Sequence, residues 1–92
     1  MNQVDKEFLS KTRNNQMRSL FSAHSLIDHV STEILLQTAF EFCFRSNYCY
    51  KNGKDIESEN AFQFATQIEG ALVARGVNDR LLSETINNLL IA

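Results

Sequence analysis

No proline interrupts this chain, and its only glycines are Gly53, Gly70 and Gly76. Proline ends or kinks a helix because it lacks the N–H donor and clashes with the preceding turn, so long helices are unobstructed here. Apolar residues make up 43% of the 92 residues and charged residues 22%, an ordinary globular composition that excludes wholesale disorder. We therefore expect one domain over residues 1–92, all-α, built as a small bundle of four to five helices.

The densest apolar stretch, FEFCFRSNYCYKNG at residues 40–53, has two competing periodicities. In steps of two it is typical of a β-hairpin, since aromatic residues favour strands. In steps of four it is the end of a helix in which Phe40, Phe44 and Tyr48 stack on one face and Gly53 supplies the stop. No other segment alternates well enough to be a partner strand, and an isolated hairpin is marginal in water. The sequence therefore favours the helix.

On that helix, we expect one broad apolar face and a narrow polar strip. The apolar face comprises Leu36, Ala39, Phe40, Cys43, Phe44, Tyr48 and Tyr50. The strip comprises Thr38, Glu41 and Arg45, and the last two stand in the order that favours a helical ion pair.

So much apolar surface exceeds what one contact inside a small bundle would cover. Phe and Tyr are enriched at the centres of interfaces, and a self-complementary patch gives a two-fold dimer. We therefore expect a homodimer, the alternative being a wholly intramolecular core. The candidate interface residues are Phe40, Phe44, Tyr48 and Tyr50.

The N-terminal half predicts helices from apolar residues spaced three and four apart. A short helix is expected over residues 3–14. Residues 19–50 form one helix or two, and cap-like residues favour a break near residues 28–31.

The C-terminal half has clearer start and stop signals. Ser58 is a candidate cap for a helix that Arg75 and Gly76 would end. Val77 would then pack on Leu82 at the start of a last helix, which completes a C-terminal helical hairpin around Gly76. The remaining apolar positions expected on that last helix are Leu81, Ile86, Leu89 and Leu90.

Four residues have side chains of the type that bind zinc, namely His24, His29, Cys43 and Cys49. A structural zinc site needs four ligands converging at about 2.0–2.3 Å. Residues five or six apart on a helix point in different directions, so neither pair converges. A cysteine nucleophile would need an adjacent histidine base, which this spacing does not supply. We expect no metal site, no cofactor and no enzymatic activity.

The charge distribution suggests an alternative function. Net charge is −2, yet every lysine and arginine of residues 1–24 falls in the segment 6–18. The candidate nucleic-acid contacts are Lys6, Lys11, Arg13 and Arg18. DNA- or RNA-binding regulation through this segment is therefore the alternative, although the acidic remainder of the chain argues against it.

No segment has the pattern of a signal peptide, and none approaches about 18 uninterrupted apolar residues. We therefore expect a cytoplasmic protein without membrane contact. The expected function is protein–protein interaction through a homodimer, as a small non-enzymatic regulator or inhibitor of the type that phages and plasmids encode. The partner protein is not identified by any residue pattern.

Overall fold

The computed structural model of the chain describes residues 2–78 together with residues 80, 82 and 84. The elements in chain order are α1 (Gln3–Thr12), α2 (Met17–His24), a 3-10 turn (Ile27–His29), α3 (Thr32–Lys51) and α4 (Asp55–Ala74). No strand occurs among these residues, so the predicted all-α bundle is confirmed. The helical interpretation of residues 40–53 is also confirmed, because all of α3 is one continuous helix.

Helix α1 is capped at its start, and its first turn is hydrogen-bonded to the start of α3. The N–H of Asp5 donates to Oδ1 of Asn2 at 2.8 Å, and the helix ends at Thr12, two residues before the predicted end. Asp5 is buried, and its carboxylate accepts from the N–H and from the hydroxyl of Ser31, each at 2.9 Å. Because Ser31 is the N-cap of α3, this places negative charge at the positive end of that helix.

The predicted break between residues 28 and 31 is confirmed. Helix α2 gives way to the 3-10 turn, and α3 begins at Thr32. Arg75, at the far end of α4, donates to the carbonyl oxygens of Ile27 at 2.8 Å and Val30 at 2.6 Å. The segment between α2 and α3 is therefore held in place by the Arg75 side chain, which comes from the end of α4.

Helices α3 and α4 form a helical hairpin closed by Gly53. The N–H of Gly53 donates to the Tyr50 carbonyl at 3.2 Å, and that of Lys54 donates to the Cys49 carbonyl at 2.8 Å. These bonds end α3 in a left-handed turn with a φ of 74° at Gly53, a conformation that favours glycine.

Ser58 does not cap α4, because that helix begins three residues earlier, at Asp55. Its hydroxyl instead donates to the Ser46 carbonyl at 2.8 Å, while Oγ of Ser46 donates to the Ser58 carbonyl at 3.0 Å. The reciprocal pair joins the two helices near their connecting turn. Both side chains are small, so the helix backbones approach closely at this point.

Helix α4 ends at the predicted stop. Gly76 has a φ of 91°, and the N–H of Val77 donates back to the Leu72 carbonyl at 3.1 Å. Leu82 is helical and buried, and Val77 packs against the core cluster to which Leu82 belongs. The other positions predicted for the last helix, Leu81, Ile86, Leu89 and Leu90, lie outside the described residues.

One buried cluster draws on all four helices, and aromatic rings form its centre. The centroid of the Phe64 ring lies 4.8 Å from the centroid of the Phe42 ring, in an edge-to-face arrangement, and 6.1 Å from the centroid of the Phe8 ring. The three rings come from α4, α3 and α1, so this cluster fixes how those helices pack together.

Candidate protein interface

Helix α3 has a buried inner face that shares only Ala39 and Cys43 with the predicted apolar face. The buried residues of α3 are Ile34, Leu35, Thr38, Ala39, Phe42, Cys43 and Ser46. The assignment of Thr38 to a polar strip is therefore wrong. Its hydroxyl donates to the Ile34 carbonyl at 2.7 Å, so the side chain is satisfied within its own helix and can be buried at little cost.

The opposite side of α3 carries three aromatic residues, which we call the outer aromatic row: Phe40, Phe44 and Tyr48. They follow one another at intervals of four residues, so they lie one above the other along the helix. Phe44 is 60% exposed and Tyr48 is 58% exposed, whereas Phe40 is half-buried against the core. Three of the four predicted interface residues therefore share one face.

The fourth predicted interface residue, Tyr50, lies elsewhere. It lines a separate cleft of about 650 Å³ with Phe62 of α4 and with the Ser46–Ser58 pair. Tyr50 is 71% exposed. The predicted interface is thus divided between two surfaces, the outer aromatic row and the Tyr50–Phe62 cleft.

The C-terminal end of the outer aromatic row opens into a cleft of about 400 Å³. Its lining residues are Arg13, Asn15, Phe44, Arg45, Tyr48 and Cys49. Arg45 is held in place there, because it donates to the Thr12 carbonyl at 2.8 Å, pairs with Glu41 as predicted, and lies 4.5 Å from the ring centroid of Phe42. The cleft therefore combines exposed aromatic surface with fixed positive charge.

Asn15 positions the loop that supplies the other wall of this cleft. Its side-chain Nδ2 donates to the Glu57 carbonyl at 2.7 Å. Its Oδ1 is buried and has no hydrogen-bond partner within the described part of the chain. The loop between α1 and α2 is thereby anchored on α4.

The candidate nucleic-acid contacts do not share an environment. Nζ of Lys11 donates to Oγ of Ser22 at 3.1 Å, which joins α1 to α2. Arg13 lines the cleft at the end of the outer aromatic row. Lys6 and Arg18 are exposed on α1 and α2 respectively. Of the four cations, Arg13 is the one that the fold brings beside exposed aromatic rings.

The four potential zinc ligands also differ in their surroundings. His24 and His29 are exposed, Cys49 is half-buried and Cys43 is buried. Burial, with a smaller contribution from the negative charge of Glu69, raises the pKa of the Cys43 thiol to about 11. Across the described ranges, no three His, Cys, Asp or Glu side chains gather where they could hold a metal ion.

A second apolar surface, between α2 and α4, was missed by the sequence analysis. This α2–α4 groove has a volume of about 310 Å³. Its lining residues are Met17, Leu20, Phe21, His24, Asn60, Gln63, Phe64 and Gln67. Phe21 is the residue that could have indicated this surface in the sequence. It is large and apolar but does not belong to the buried stripe of α2, which contains Leu20 and Ala23.

Comparisons with protein-family models, with curated proteins and with solved structures find no match to this chain. Within the described part of the chain, none of the helices has the combined length and apolar character of a bilayer-spanning segment. The assignment of function therefore rests on the surfaces described above.

Proposed function

We propose that this protein is a small non-enzymatic regulator or inhibitor that acts by protein–protein contact, and that a second copy packs on its outer aromatic row to form a homodimer. The observation that supports this is the exposure of Phe44 and Tyr48, at 60% and 58%. The inner face of the same helix already packs on α4 and α1, so these two rings add nothing to the core. Aromatic residues are the side chains most enriched in interface centres.

The spacing of the row suits helix-on-helix packing between copies. Residues four apart form a ridge along a helix, and two such ridges interdigitate when the helices cross at about −50°. In a two-fold dimer the same ridge is used by both copies, so each aromatic residue contributes twice. The α3 helices of two copies would therefore cross near Phe44, the middle member of the row.

The expected dimer is weak. A buried aromatic side chain removes about 150–250 Å² from water, so covering the exposed parts of Phe44 and Tyr48 removes on the order of 100 Å² each. A standard interface buries about 800 Å² per partner, and the rest must come from polar residues around the row. We expect a dissociation constant in the micromolar range, at the weak end of specific association.

Sedimentation equilibrium from about 1 to 500 µM tests the proposal. We expect the unmodified protein to dimerise across this range, and Phe44→Ser to weaken the dimer by about 2 kcal/mol or more, at least ~30-fold in Kd. Tyr50→Ser is the matched control, because Tyr50 is also an exposed aromatic residue of the same helix but lies outside the row. Circular dichroism of each variant checks that the monomer stays folded.

A strictly monomeric protein at 500 µM would refute the homodimer. Dissociation by Tyr50→Ser instead of Phe44→Ser would move the interface to the Tyr50–Phe62 cleft. These two outcomes are separable because both substitutions are made on exposed side chains, where the effect on folding stability is usually within about 0.5 kcal/mol.

Nucleic-acid binding is the alternative function. The observation that bears on it is that Arg13 and Tyr48 line the same cleft. Bases stack on aromatic rings, and guanidinium groups contact phosphates. Titration with single-stranded DNA and RNA at low and high salt tests it. We expect no association, and therefore no difference between the unmodified protein and a Lys11→Glu, Arg13→Glu double variant. A salt-sensitive complex that this variant abolishes would make nucleic-acid binding the function.

A further inference from the structure

We infer that the Tyr50–Phe62 cleft is a docking site for an arginine-bearing, basic segment of a partner protein. Two exposed aromatic rings and two carboxylates line this one cleft. The site would be where the proposed regulator contacts its target, so it rests on the proposed function of protein–protein contact, but it does not require the homodimer.

Hydrogen bonds fix how the two walls of the cleft face each other. The reciprocal Ser46–Ser58 pair joins α3 to α4 inside the lining, with donor–acceptor distances of 3.0 and 2.8 Å. Tyr50 lies one helical turn from this pair toward the connecting turn, and Phe62 lies one helical turn from it in the opposite direction. The two rings therefore stand at opposite ends of the cleft, with the serine pair between them.

Each end of the cleft also has a carboxylate. Asp55 lies at the same end as Tyr50, because both adjoin the turn that connects α3 to α4. Glu59 lies three residues before Phe62 on α4, which makes the two neighbours on the helix surface. The cleft thus presents two combinations of one aromatic ring and one carboxylate.

No cation of the chain neutralises these carboxylates. All nine lysine and arginine residues are among the described residues, and none of them lines the cleft or forms an ion pair with Asp55 or Glu59. Lys51 and Lys54, the nearest in sequence, are exposed outside the lining. The negative charge of the cleft is therefore available to a cation from another molecule.

Helix capping explains only one of the two carboxylates. Asp55 lies in the first turn of α4, where the helix dipole favours negative charge. Glu59 lies beyond that turn, where the effect of the dipole has fallen off. One oxygen of Glu59 accepts from Nε2 of Gln63 at 3.3 Å, and the other has no hydrogen-bond partner within the described residues. Glu59 can therefore accept from an incoming N–H group.

A guanidinium group complements both features of the cleft. Its planar face stacks on aromatic rings, while its N–H groups donate to carboxylates in the plane. An ammonium group is more strongly hydrated and cannot stack, so lysine gains less from the same surroundings. The cleft of about 650 Å³ is within the range of about 300–1,000 Å³ that holds a drug-sized ligand, so it has room for a peptide segment and not only one guanidinium.

A synthetic peptide tests this assignment. The probe is a capped glycine–serine peptide with two arginines three positions apart, which an extended chain separates by about 10 Å. NMR titration of the isotope-labelled full-length protein measures its binding at about 20 mM and about 300 mM salt. We expect a Kd on the order of 0.1–1 mM at low salt and weaker binding at high salt. The same peptide with citrulline in place of arginine keeps the shape without the charge and should not bind, and the lysine peptide should bind more weakly.

Variants then locate the binding surface. Glu59→Gln and Tyr50→Ser should each weaken peptide binding about threefold or more. Glu57→Gln is the matched control, because Glu57 is also an exposed carboxylate of α4 but does not line the cleft. Phe44→Ser should leave peptide binding unchanged while it weakens the dimer, and Tyr50→Ser should do the reverse. Failure of the homodimer and failure of the cleft are therefore distinguishable.

Four results would overturn the inference: no binding of the arginine peptide, equal binding of the citrulline peptide, equal loss with Glu57→Gln, or chemical shift changes that lie outside the cleft. Binding of argininamide as tightly as the peptide would assign the cleft to a small cation instead. Loss of self-association in Tyr50→Ser would assign it to a second copy of the chain.

Discussion

Phe42 and Phe44 stand two positions apart on α3, yet the first is fully buried and the second is 60% exposed. Two positions on a helix differ by about 200°, so the same residue type faces the core in one case and solvent in the other. Phe42 contacts the ring of Phe64 and the guanidinium of Arg45. Phe44 lines the open cleft beside Arg13. The difference shows that an aromatic residue in this helix lies either in the core or on the exposed surface, and that its position on the helix decides which.

Polarity alone does not distinguish the inner face of α3 from its outer face. Thr38 and Ser46 are polar and buried, whereas Phe44 and Tyr48 are aromatic and exposed. The buried hydroxyl groups are satisfied by backbone carbonyls, so they carry no large desolvation cost. Small polar residues thus lie where α3 packs closely on its neighbours, and the two aromatic side chains lie on the solvent side, where we propose that a second copy packs.

Truncating the two phenylalanines should give the largest contrast. Phe42→Ala is expected to destabilise the protein by about 3–5 kcal/mol, because it removes a ring from the centre of the core and leaves a cavity. That is a large part of the total stability of a domain this size. Phe44→Ala should change the stability of the monomer by no more than about 0.5 kcal/mol.

Urea unfolding of both variants below the dimer dissociation constant measures this contrast. Equal destabilisation by the two substitutions would show that Phe44 also packs inside the monomer. The outer aromatic row would then be part of the core, and the homodimer proposal would lose its support.

A larger apolar side chain at Ser46 on the inner face should destabilise the protein, while a smaller polar side chain at Phe44 on the outer face should not. Ser46→Leu inserts a larger side chain where α3 and α4 approach through the Ser46–Ser58 pair, and we expect a loss of about 1–3 kcal/mol from overpacking. Phe44→Ser should leave monomer stability nearly unchanged. Thermal unfolding of both variants checks the expectation, and a stabilised Ser46→Leu protein would contradict it.

The sequence predicts most of the fold because its stop signals are strong. Gly53 and Gly76 end α3 and α4 where expected, and both adopt the left-handed conformation that this requires. The break before α3 was also predicted. The link that Arg75 makes to that break could not be predicted, because the carbonyl groups it binds lie more than 40 residues earlier in the chain.

The orientation of α3 could not be read from the sequence for a different reason. Seven of the eleven positions from Phe40 to Tyr50 are apolar or aromatic, so the helical wheel has no sharp boundary and does not separate Thr38 from Glu41 and Arg45. A threonine satisfied by the carbonyl four residues earlier is equally compatible with burial. The α2–α4 groove was missed because α2 contributes only one wall of it, and the other wall is polar.

The two cysteines of α3 should differ in reactivity because Cys43 is buried and Cys49 is only half-buried. Cys43 is buried with a pKa of about 11, so its thiol stays protonated and inaccessible at pH 8, whereas Cys49 lines the cleft beside Tyr48. We expect a thiol reagent at pH 8 to modify Cys49 first and Cys43 only at the rate of unfolding. Peptide mapping by mass spectrometry distinguishes the two sites, and equal rates would show that Cys43 is accessible in the folded protein.

The raised pKa of Cys43 also implies a pH dependence of stability. Because the folded pKa lies above the ordinary value of 9.0, the neutral thiol favours the folded state below pH 9, and this contribution is lost as pH rises from 9 to about 11. The decline in unfolding free energy over that interval should therefore be shallower in a Cys43→Ala variant than in the unmodified protein. Parallel slopes would mean that the thiol does not titrate differently in the folded state.

The smallest expected effect is at Thr38, and it tests why a polar residue is buried there. The Thr38 hydroxyl donates to the Ile34 carbonyl, which by helix geometry also accepts from the backbone N–H of Thr38. Replacing the hydroxyl with a methyl group, as in Thr38→Val, therefore leaves no buried donor or acceptor without a partner. The lost hydrogen bond and the gained apolar contact oppose each other, and we expect a change within about 0.5 kcal/mol in urea unfolding. Thr38→Ser is the control, because it keeps the hydroxyl, deletes the methyl group and should cost about 1 kcal/mol. A loss of about 2 kcal/mol or more in Thr38→Val would show that the hydroxyl itself stabilises the inner face of α3, and that the polarity of that face is required rather than merely tolerated.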